Sequence, residues 1–129
     1  MMTKPRDNPT PEGLRLLALD GGAEDWTGLY ELIWSANRVW PNASTEVKIA
    51  AAISAVLELL RSGHLEFRRS WWATRETEQI PRREAEAIVG ESASYDPPDS
   101  SGLFIEFSCT LAGQGAYQAI PETEFEGLL

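Results

Sequence analysis

The sequence predicts an α+β fold in which two main helices pack on a small antiparallel sheet. Two stretches, 26–40 and 44–62, repeat apolar residues at helical spacing. Two shorter stretches, 64–73 and 103–110, alternate apolar and polar residues with the period of a strand. The chain has 129 residues, of which 43% are hydrophobic, and this is enough to build one core. We therefore expect a single domain over 13–120.

The segments at the two ends of the chain are expected to lie outside the core. Residues 1–12 are polar and hold three prolines, and such a segment cannot bury enough apolar surface to order itself. We predict a flexible lead-in over 1–12 and an acidic, solvated tail over 121–129. The leucine-rich run 13–19 fits no single period, so it stays open between one or two helical turns and an edge strand. The segment 20–25, with two adjacent glycines, predicts a turn.

The first long helix is predicted over 26–40. Its apolar residues form a broad surface, so we expect both sides of the helix to be covered. Trp26, Trp34 and Trp40 are accordingly assigned to the core. Pro41 ends the helix, because the residue before a proline avoids helical backbone angles.

The second helix is predicted over 44–62. Ser44 or Thr45 can accept a hydrogen bond from a free amide of the first turn. Gly63 can adopt the left-handed backbone angles that commonly follow a helix. The side chains expected on the buried stripe of this helix are Ile49, Ile53, Val56, Leu57 and Leu60.

The strand predicted over 64–73 separates its cationic and aromatic residues onto two faces, because successive side chains of a strand point to opposite sides. The inward set is Leu65, Phe67, Arg69 and Trp71, and the outward set includes Arg68 and Trp72. Since Trp72 points away from the core, it is expected to be exposed, or to be covered by a short helix over 81–90 or by a partner protein, of which the helix is favoured.

The rest of the chain completes an order of helix, helix, strand, small helix and strand. Pro81 suits the first position of the small helix, and Gly90 suits its end. The remaining predictions, in chain order, are a polar loop over 74–79, a short helix over 81–90, a turn over 94–102, a strand over 103–110 and a turn that begins 111–120.

The helix that ends in ELLRSGHLEF (58–67) and the strand that closes in FSCTLAGQGAY (107–117) together resemble a winged helix-turn-helix domain. In that family the helix before the wing ends at a glycine, and the second wing strand commonly closes in a Thr-x-x-Gly pattern, here Thr110 to Gly113. The resemblance covers 26–117 and implies a winged-helix-like fold with a long, helix-containing wing. The sequence departs from the family in showing two clear helices before the wing instead of three, unless 13–19 supplies another or 42–62 breaks into two helices around Ala50. The chain is also similar to uncharacterised bacterial proteins that share LYELIWSANRVWP, a likeness that implies no activity.

Charge is spread unevenly along the chain. The net charge is −9, yet residues 61–83 hold six arginines against three glutamates and are net +3, so the rest of the chain is net −12. No lysine or arginine occurs from Glu84 to Leu129. A field of this sign repels nucleic acid and anionic lipid, and the acidic residues can pair with the arginines within the chain.

Two functions are weighed for the basic segment 61–83. The leading one is a non-enzymatic protein-interaction module, either a homodimer or bound to a protein partner in an antidote-like or regulatory role. Tryptophan and arginine are enriched at interface hot spots, so the partner-binding candidates are Arg68, Trp72, Arg69 and Trp71. The alternative is a winged-helix transcriptional regulator that binds nucleic acid. Its candidate contacts are Lys48, Arg61, Arg68, Arg69 and Arg75.

Nothing in the sequence indicates an enzyme. Cys109 is the single cysteine and His64 the single histidine, and no spacing of metal ligands joins them, so no catalytic residue, metal or cofactor is predicted. One thiol cannot form an internal disulfide, which fits a reducing cytoplasm. No apolar run approaches the roughly 20 residues that cross a bilayer, so no membrane contact is expected.

Overall fold

The structure, a computed structural model, describes residues 8–128 and has an α+β fold. Its helices are α1 Pro11–Glu24, α2 Leu29–Val39, α3 Thr45–Arg61, α4 Arg82–Val89, α5 Leu111–Gln118 and α6 Glu122–Glu126, with a short 3-10 helix over Ser92–Tyr95. Its strands are β1 Thr27–Gly28, β2 Leu65–Trp71, β3 Thr77–Ile80 and β4 Leu103–Cys109. The strands form one antiparallel sheet in the order β1-β4-β2-β3. The predicted α+β class is confirmed, but three helices, instead of two, precede β2.

Helix α1 resolves the ambiguous run 13–19, which is helical. Thr10 starts the helix, because its Oγ1 accepts a hydrogen bond from an amide of the first turn at 3.0 Å. Pro11 suits this turn, where its missing amide leaves no helical hydrogen bond unmade. The end of the predicted lead-in 1–12 therefore belongs to α1, while residues 1–7 lie outside the part of the chain that the structure describes.

Helix α1 also continues to Glu24, so the turn predicted over 20–25 is wrong. The adjacent glycines serve close packing instead of turning the chain. A Cβ on Gly22 would lie 3.2 Å from both the backbone nitrogen and the Sγ of Cys109. The absence of a side chain at this position thus lets α1 lie closely against β4.

The helix predicted over 26–40 begins later than expected, at Leu29. The two residues before it, Thr27–Gly28, form edge strand β1 and pair antiparallel with β4. Glu31 fixes the start of the helix, since its Oε1 accepts a hydrogen bond from the Gly28 amide at 2.9 Å. A strand of two residues is too short to produce a periodic pattern in the sequence.

Of the three tryptophans assigned to the core, Trp40 alone lies there, with 2% of its surface exposed. Trp34 is 54% exposed, and Trp26 is half-buried, so both of these assignments are wrong. Helix α2 turns a narrower stripe inward than predicted and leaves Trp34 outside it. That buried stripe consists of Leu29, Tyr30, Leu32, Ile33 and Ala36.

Helix α3 agrees with its predicted bounds within one residue. Ser44 precedes it and its Oγ accepts a hydrogen bond from the Val47 amide at 3.2 Å, and Gly63 follows it with a φ of 75°. The buried stripe, however, is rotated from the predicted one, so that Ile49, Ile53 and Leu57 are only partly buried. The residues that it buries are Lys48, Ala51, Ala52, Ala55, Val56, Leu59 and Leu60. The small side chains of this stripe allow α1 and α3 to approach closely.

The hairpin of β2 and β3 confirms one prediction and corrects another. The strand predicted over 64–73 is β2, but the polar loop predicted over 74–79 becomes strand β3 in its second half. Strand β3 pairs antiparallel with β2, and Ile80 lies opposite Phe67. The other side chains of β3 are exposed, so its sequence lacks the apolar alternation by which a strand is recognised.

The elements that lead back to the sheet follow their predictions. Helix α4 lies between Pro81 and Gly90, within the predicted range 81–90. The turn predicted over 94–102 is an irregular segment that the 3-10 helix enters and that ends at Gly102, with a φ of 76°. The strand predicted over 103–110 is β4, and it pairs antiparallel with β2 along its whole length.

The sheet has one buried face and one open face. The buried face packs on α1 and α3, and its central side chains are Leu65, Phe67, Ile105 and Phe107. The open face is built from the alternate positions of β2 and β4. Its central side chains are Arg68, Ser70, Phe104 and Glu106.

The turn predicted at the start of 111–120 is instead helix α5. Thr110 Oγ1 accepts a hydrogen bond from the Gly113 amide at 3.1 Å, so the Thr-x-x-Gly pattern is the N-cap of this helix. A Cβ on Gly113 would lie 2.0 Å from the carbonyl oxygen of His64, so only glycine fits this crossing. The predicted tail 121–129 contains the short helix α6, which is exposed for most of its length.

Candidate interaction surface

Four aromatic side chains from three parts of the chain meet beside the open face of the sheet. We call this set, Tyr30, Trp34, Trp72 and Phe104, the aromatic surface. The ring of Tyr30 lies edge-on to Trp34, with centroids 4.9 Å apart, and edge-on to Phe104 at 5.5 Å. Trp72 lies 6.3 Å from Phe104 in a tilted arrangement. These separations fall in the range in which aromatic pairs attract one another.

Trp72 is the most exposed member of the aromatic surface, with 70% of its area accessible. Its backbone is nevertheless fixed, because its amide donates a hydrogen bond to the Gly102 carbonyl at 2.9 Å. A Cβ on Gly102 would lie 3.2 Å from the Trp72 Cβ, so the loop before β4 fits closely against this residue. The protein thus holds the base of Trp72 in place and leaves its ring in solvent.

Next to these rings, Arg68 and Glu106 form an ion pair across β2 and β4. Arg68 Nε donates to Glu106 Oε1 at 2.8 Å, and the Ser70 hydroxyl donates to the same oxygen. The guanidinium also lies 4.1 Å from the ring centre of Trp26, a distance at which cation–π attraction acts. The side chains of Arg68 and Glu106 are 23% and 12% exposed. Arg68 is therefore engaged within the chain by both Glu106 and Trp26.

Two depressions lie on either side of Trp72, which lines both of them. The first, of about 320 Å³, contains polar and charged side chains. These include Arg68, Ser70, Arg75, Glu76 and Glu106. The second, of about 450 Å³, is more apolar, and we call it the aromatic cleft. Its principal lining residues are Tyr30, Trp34, Trp72, Pro97, Pro98 and Asp99.

Arg75 stands at the edge of the first depression in an unusual backbone conformation. Its φ is 61°, in the left-handed region that non-glycine residues rarely adopt. Its amide donates to the Trp71 carbonyl at 2.8 Å and closes the turn that follows β2. The side chain is exposed and forms no ion pair with another residue of the range 8–128.

The four partner-binding candidates separate into two pairs, as predicted from the period of the strand. Arg68 and Trp72 lie on the side of the open face and line the first depression together. Arg69 belongs to the other face, where it pairs with Glu78 at 3.0 Å, and Trp71 is half-buried. The expectation that a helix over 81–90 covers Trp72 is wrong, because this side chain is 70% exposed.

The five nucleic-acid candidates do not form one cationic surface. Lys48 is buried, and its Nζ donates to Asn37 Oδ1 at 2.9 Å. Arg61 donates to Glu86 from its Nε at 3.0 Å. Arg68 and Arg69 are paired with carboxylates as described above. Arg75 is the single exposed cation of this set without a carboxylate partner among residues 8–128.

Sequence reasoning missed three members of the aromatic surface. Trp34 was assigned to the core, and Tyr30, which is indeed buried, was expected on the same covered helix, although their spacing of four residues places them on a stripe of their own. Phe104 alternates with Ile105 and Phe107, and this alternation places it on the opposite face of β4. The signal was therefore present for each residue separately. What the sequence lacked was the strand register that brings α2 and β4 together.

The surroundings of Cys109 do not activate its thiol as a nucleophile. Burial raises the pKa of its thiol to about 11, so the sulfur stays protonated near neutral pH. Its Sγ donates a weak hydrogen bond to the Leu19 carbonyl at 3.6 Å. In the described range 8–128, no three His, Cys, Asp or Glu side chains are grouped as a metal site would require. Within the same residues, no helix has the length and apolar character needed to cross a membrane.

Comparisons of the chain with models of protein families, with curated proteins and with solved structures find no match. The class of this protein therefore follows from its fold and its surface alone. It is an α+β domain with a four-stranded antiparallel sheet, and beside the open face of that sheet lies the aromatic surface, of which Trp34 and Trp72 are exposed.

Proposed function

We propose that this chain is a non-enzymatic protein-interaction module that docks through the aromatic surface, with Trp72 at its centre. Its partner is either a second copy, giving a homodimer, or a different protein in an antidote-like or regulatory role. The observation that carries the proposal is the exposure of two neighbouring tryptophans, 70% for Trp72 and 54% for Trp34. Tryptophan and tyrosine dominate the energetics of protein interfaces.

The energetic argument concerns what a partner would gain at this surface. A tryptophan buries roughly 150–250 Å² when fully covered. At about 25 cal/mol per Å², covering the exposed parts of Trp34 and Trp72 would contribute on the order of a few kcal/mol each. Because the Trp72 backbone is already fixed by its hydrogen bond to Gly102, little backbone order would have to be gained on binding.

Two further features support an interaction module over an enzyme. The thiol of Cys109, the chain's single cysteine, has a pKa raised to about 11 by burial, which disfavours the nucleophilic thiolate. Arg68 and Glu106 are held against each other and so stabilise the base of the aromatic surface. A cytoplasmic location belongs to this proposal, since a single unpaired cysteine suits a reducing compartment.

We further propose that the architecture is winged-helix-like. Three helices precede β2, and α3 leads through Gly63 into that strand, as the resemblance implies. The segment between β2 and β4 would then be the long wing, with β3 and α4 inside it. Thr110 and Gly113 do not support the resemblance, because they cap a helix instead of closing a wing.

The alternative of a nucleic-acid-binding regulator has weaker support. Lys48 is buried, and three of the other four candidate cations are bound to carboxylates. The sequence pI of about 4.5 also contrasts with the basic character of most such domains. A mobility shift with mixed-sequence DNA at low salt, where electrostatic binding is strongest, would revive this alternative if it gave a discrete complex.

The proposal is tested by comparing the wild type with Trp72→Ala and Leu111→Ala. Leu111 is 93% exposed and lies at the start of α5, so it controls for the loss of any exposed apolar side chain. Light scattering detects a homodimer, and co-purification after crosslinking in the native host detects a foreign partner. We expect Trp72→Ala to abolish the association and Leu111→Ala to leave it unchanged. If Trp72→Ala behaves as the wild type in both measurements, the proposal is wrong.

A further inference from the structure

The aromatic cleft combines apolar walls with a single negative charge. Trp34 and Trp72 line it together with Tyr30, and Asp99 is the only charged residue among its described lining residues. The Asp99 carboxylate accepts hydrogen bonds from the Ser101 amide at 2.8 Å and from the Ser101 hydroxyl. These bonds favour the ionised form and lower the pKa of Asp99. The cleft therefore keeps its negative charge at neutral pH.

Both acidic and basic groups surround the cleft, whereas the chain as a whole is acidic. Burial, followed by the carboxylates of Glu31 and Glu106, raises the pKa of Tyr30, which lines the cleft. Three cations lie in the neighbourhood: Arg68, which is paired with Glu106, and Arg75 line the other depression beyond Trp72, and Arg38 is exposed on α2 one helical turn after Trp34. The whole chain carries a net charge of −9. This charge would attract a basic partner from a distance.

Aromatic walls with a carboxylate at the rim are suited to one kind of group. A guanidinium or ammonium ion is attracted by the faces of tryptophan and tyrosine rings, and its aliphatic stem is covered by the same rings. A carboxylate or phosphate would instead meet the ring quadrupoles and Asp99 with the wrong sign. The volume of about 450 Å³ lies within the range of small binding sites.

We propose that the aromatic cleft binds a cationic side chain, arginine or lysine, presented by a basic segment of the partner protein. The side chain would lie between Trp34 and Trp72, with its charge directed toward Asp99. This inference rests on the proposed function, since it names the class of partner for the same surface.

The experiment uses the full chain labelled with ¹⁵N and three peptide probes. The first is acetyl-Gly-Arg-Gly-Arg-Gly-amide, and the second replaces both arginines by citrulline, which keeps the shape and removes the charge. The third is acetyl-hexaproline-amide, because aromatic grooves also bind proline-rich segments. Binding is followed by the indole N–H resonances of Trp34 and Trp72.

We expect the arginine peptide to shift both indole resonances and to bind roughly 3- to 30-fold more tightly than the citrulline peptide, the range that one cation–π contact accounts for. Asp99→Asn should weaken binding of the arginine peptide without affecting the citrulline peptide. Trp72→Ala should abolish the shift at Trp34, whereas Leu111→Ala should leave it unchanged. Because Trp72 and Asp99 are exposed, neither substitution should unfold the chain, and circular dichroism checks this directly.

Three results would overturn the inference: equal binding of the arginine and citrulline peptides, stronger binding of hexaproline, or no shift by the arginine peptide at its highest soluble concentration. Any of these leaves the proposed function standing if Trp72→Ala still disrupts the association with the partner. If Trp72→Ala disrupts nothing, the proposed function fails first. The two failures are therefore distinguishable.

Discussion

Arg68 and Glu106 lie directly opposite each other on β2 and β4, and their side chains meet at 2.8 Å on the open face of the sheet. Such a cross-strand pair contributes to the pairing of the two central strands. The pair also engages Arg68, which the sequence had indicated as a candidate for contact with a partner. The large side chains that are exposed on this side of the protein are instead the neighbouring rings of Trp34 and Trp72.

The first prediction concerns this ion pair. Glu106→Gln should lower the free energy of unfolding by about 1–3 kcal/mol, because it leaves the partly buried Arg68 without its counter-charge. Urea unfolding measures the change. The control is Glu78→Gln, which breaks the exposed pair with Arg69 and should cost less than about 1 kcal/mol. Equal effects of the two substitutions would show that the Arg68–Glu106 pair is no more important than a surface contact.

The second prediction concerns the crossing of α5 over the start of β2. Gly113→Ala should destabilise the protein by about 3 kcal/mol or more, because the new Cβ would lie 2.0 Å from the His64 carbonyl oxygen. Gly115 lies on the same helix and a Cβ there meets nothing within 4 Å. Gly115→Ala should therefore be neutral or stabilising by up to about 1 kcal/mol. Thermal unfolding of the two variants compares them, and a tolerated alanine at 113 would contradict this packing of α5.

The third prediction concerns the pH dependence of Cys109. Since burial raises the pKa of its thiol to about 11, its alkylation by iodoacetamide should accelerate with a midpoint near pH 11. The same reaction in urea should have the ordinary midpoint near 8.5. A raised pKa in the folded state means that the thiol of the native protein keeps its proton to a higher pH than the thiol of the unfolded chain. The contribution of this thiol to stability is thus fully present below about pH 8.5 and falls as the pH rises toward 11. A folded-state midpoint near 8.5 would contradict the burial of Cys109.

The elements that can be predicted from the sequence are those whose ends or periodicity are marked locally. Helix α3 was predicted within one residue because Ser44 and Gly63 mark its ends chemically, and β2 and β4 were predicted from their alternation. Helix α1 was only partly recognised, since its two glycines read as a turn. Gly22 in fact packs closely against Cys109, a residue far away in the sequence, and Gly21 packs against Thr27.

The candidate surface was predicted only in part, because it also depends on contacts between residues that are far apart in the sequence. Trp72 was expected to point away from the core because strand periodicity is local information, and the structure agrees. The neighbours of Trp72 could not be predicted, because they depend on the register of β4 beside β2 and on the rotation of α2. The rotation of α3 was likewise missed. Lys48 reads as an exposed cation, but it is buried against Asn37.

The central claim is that Trp72 lies at the docking surface of an interaction module. The most direct measurement places a photo-crosslinking benzophenone amino acid at position 72, and in a parallel strain at position 111, and irradiates living cells of the native host. We predict a discrete covalent adduct from position 72, either with a second copy or with one other protein, and no such adduct from position 111. No adduct from position 72, or the same set of adducts from both positions, would contradict the claim.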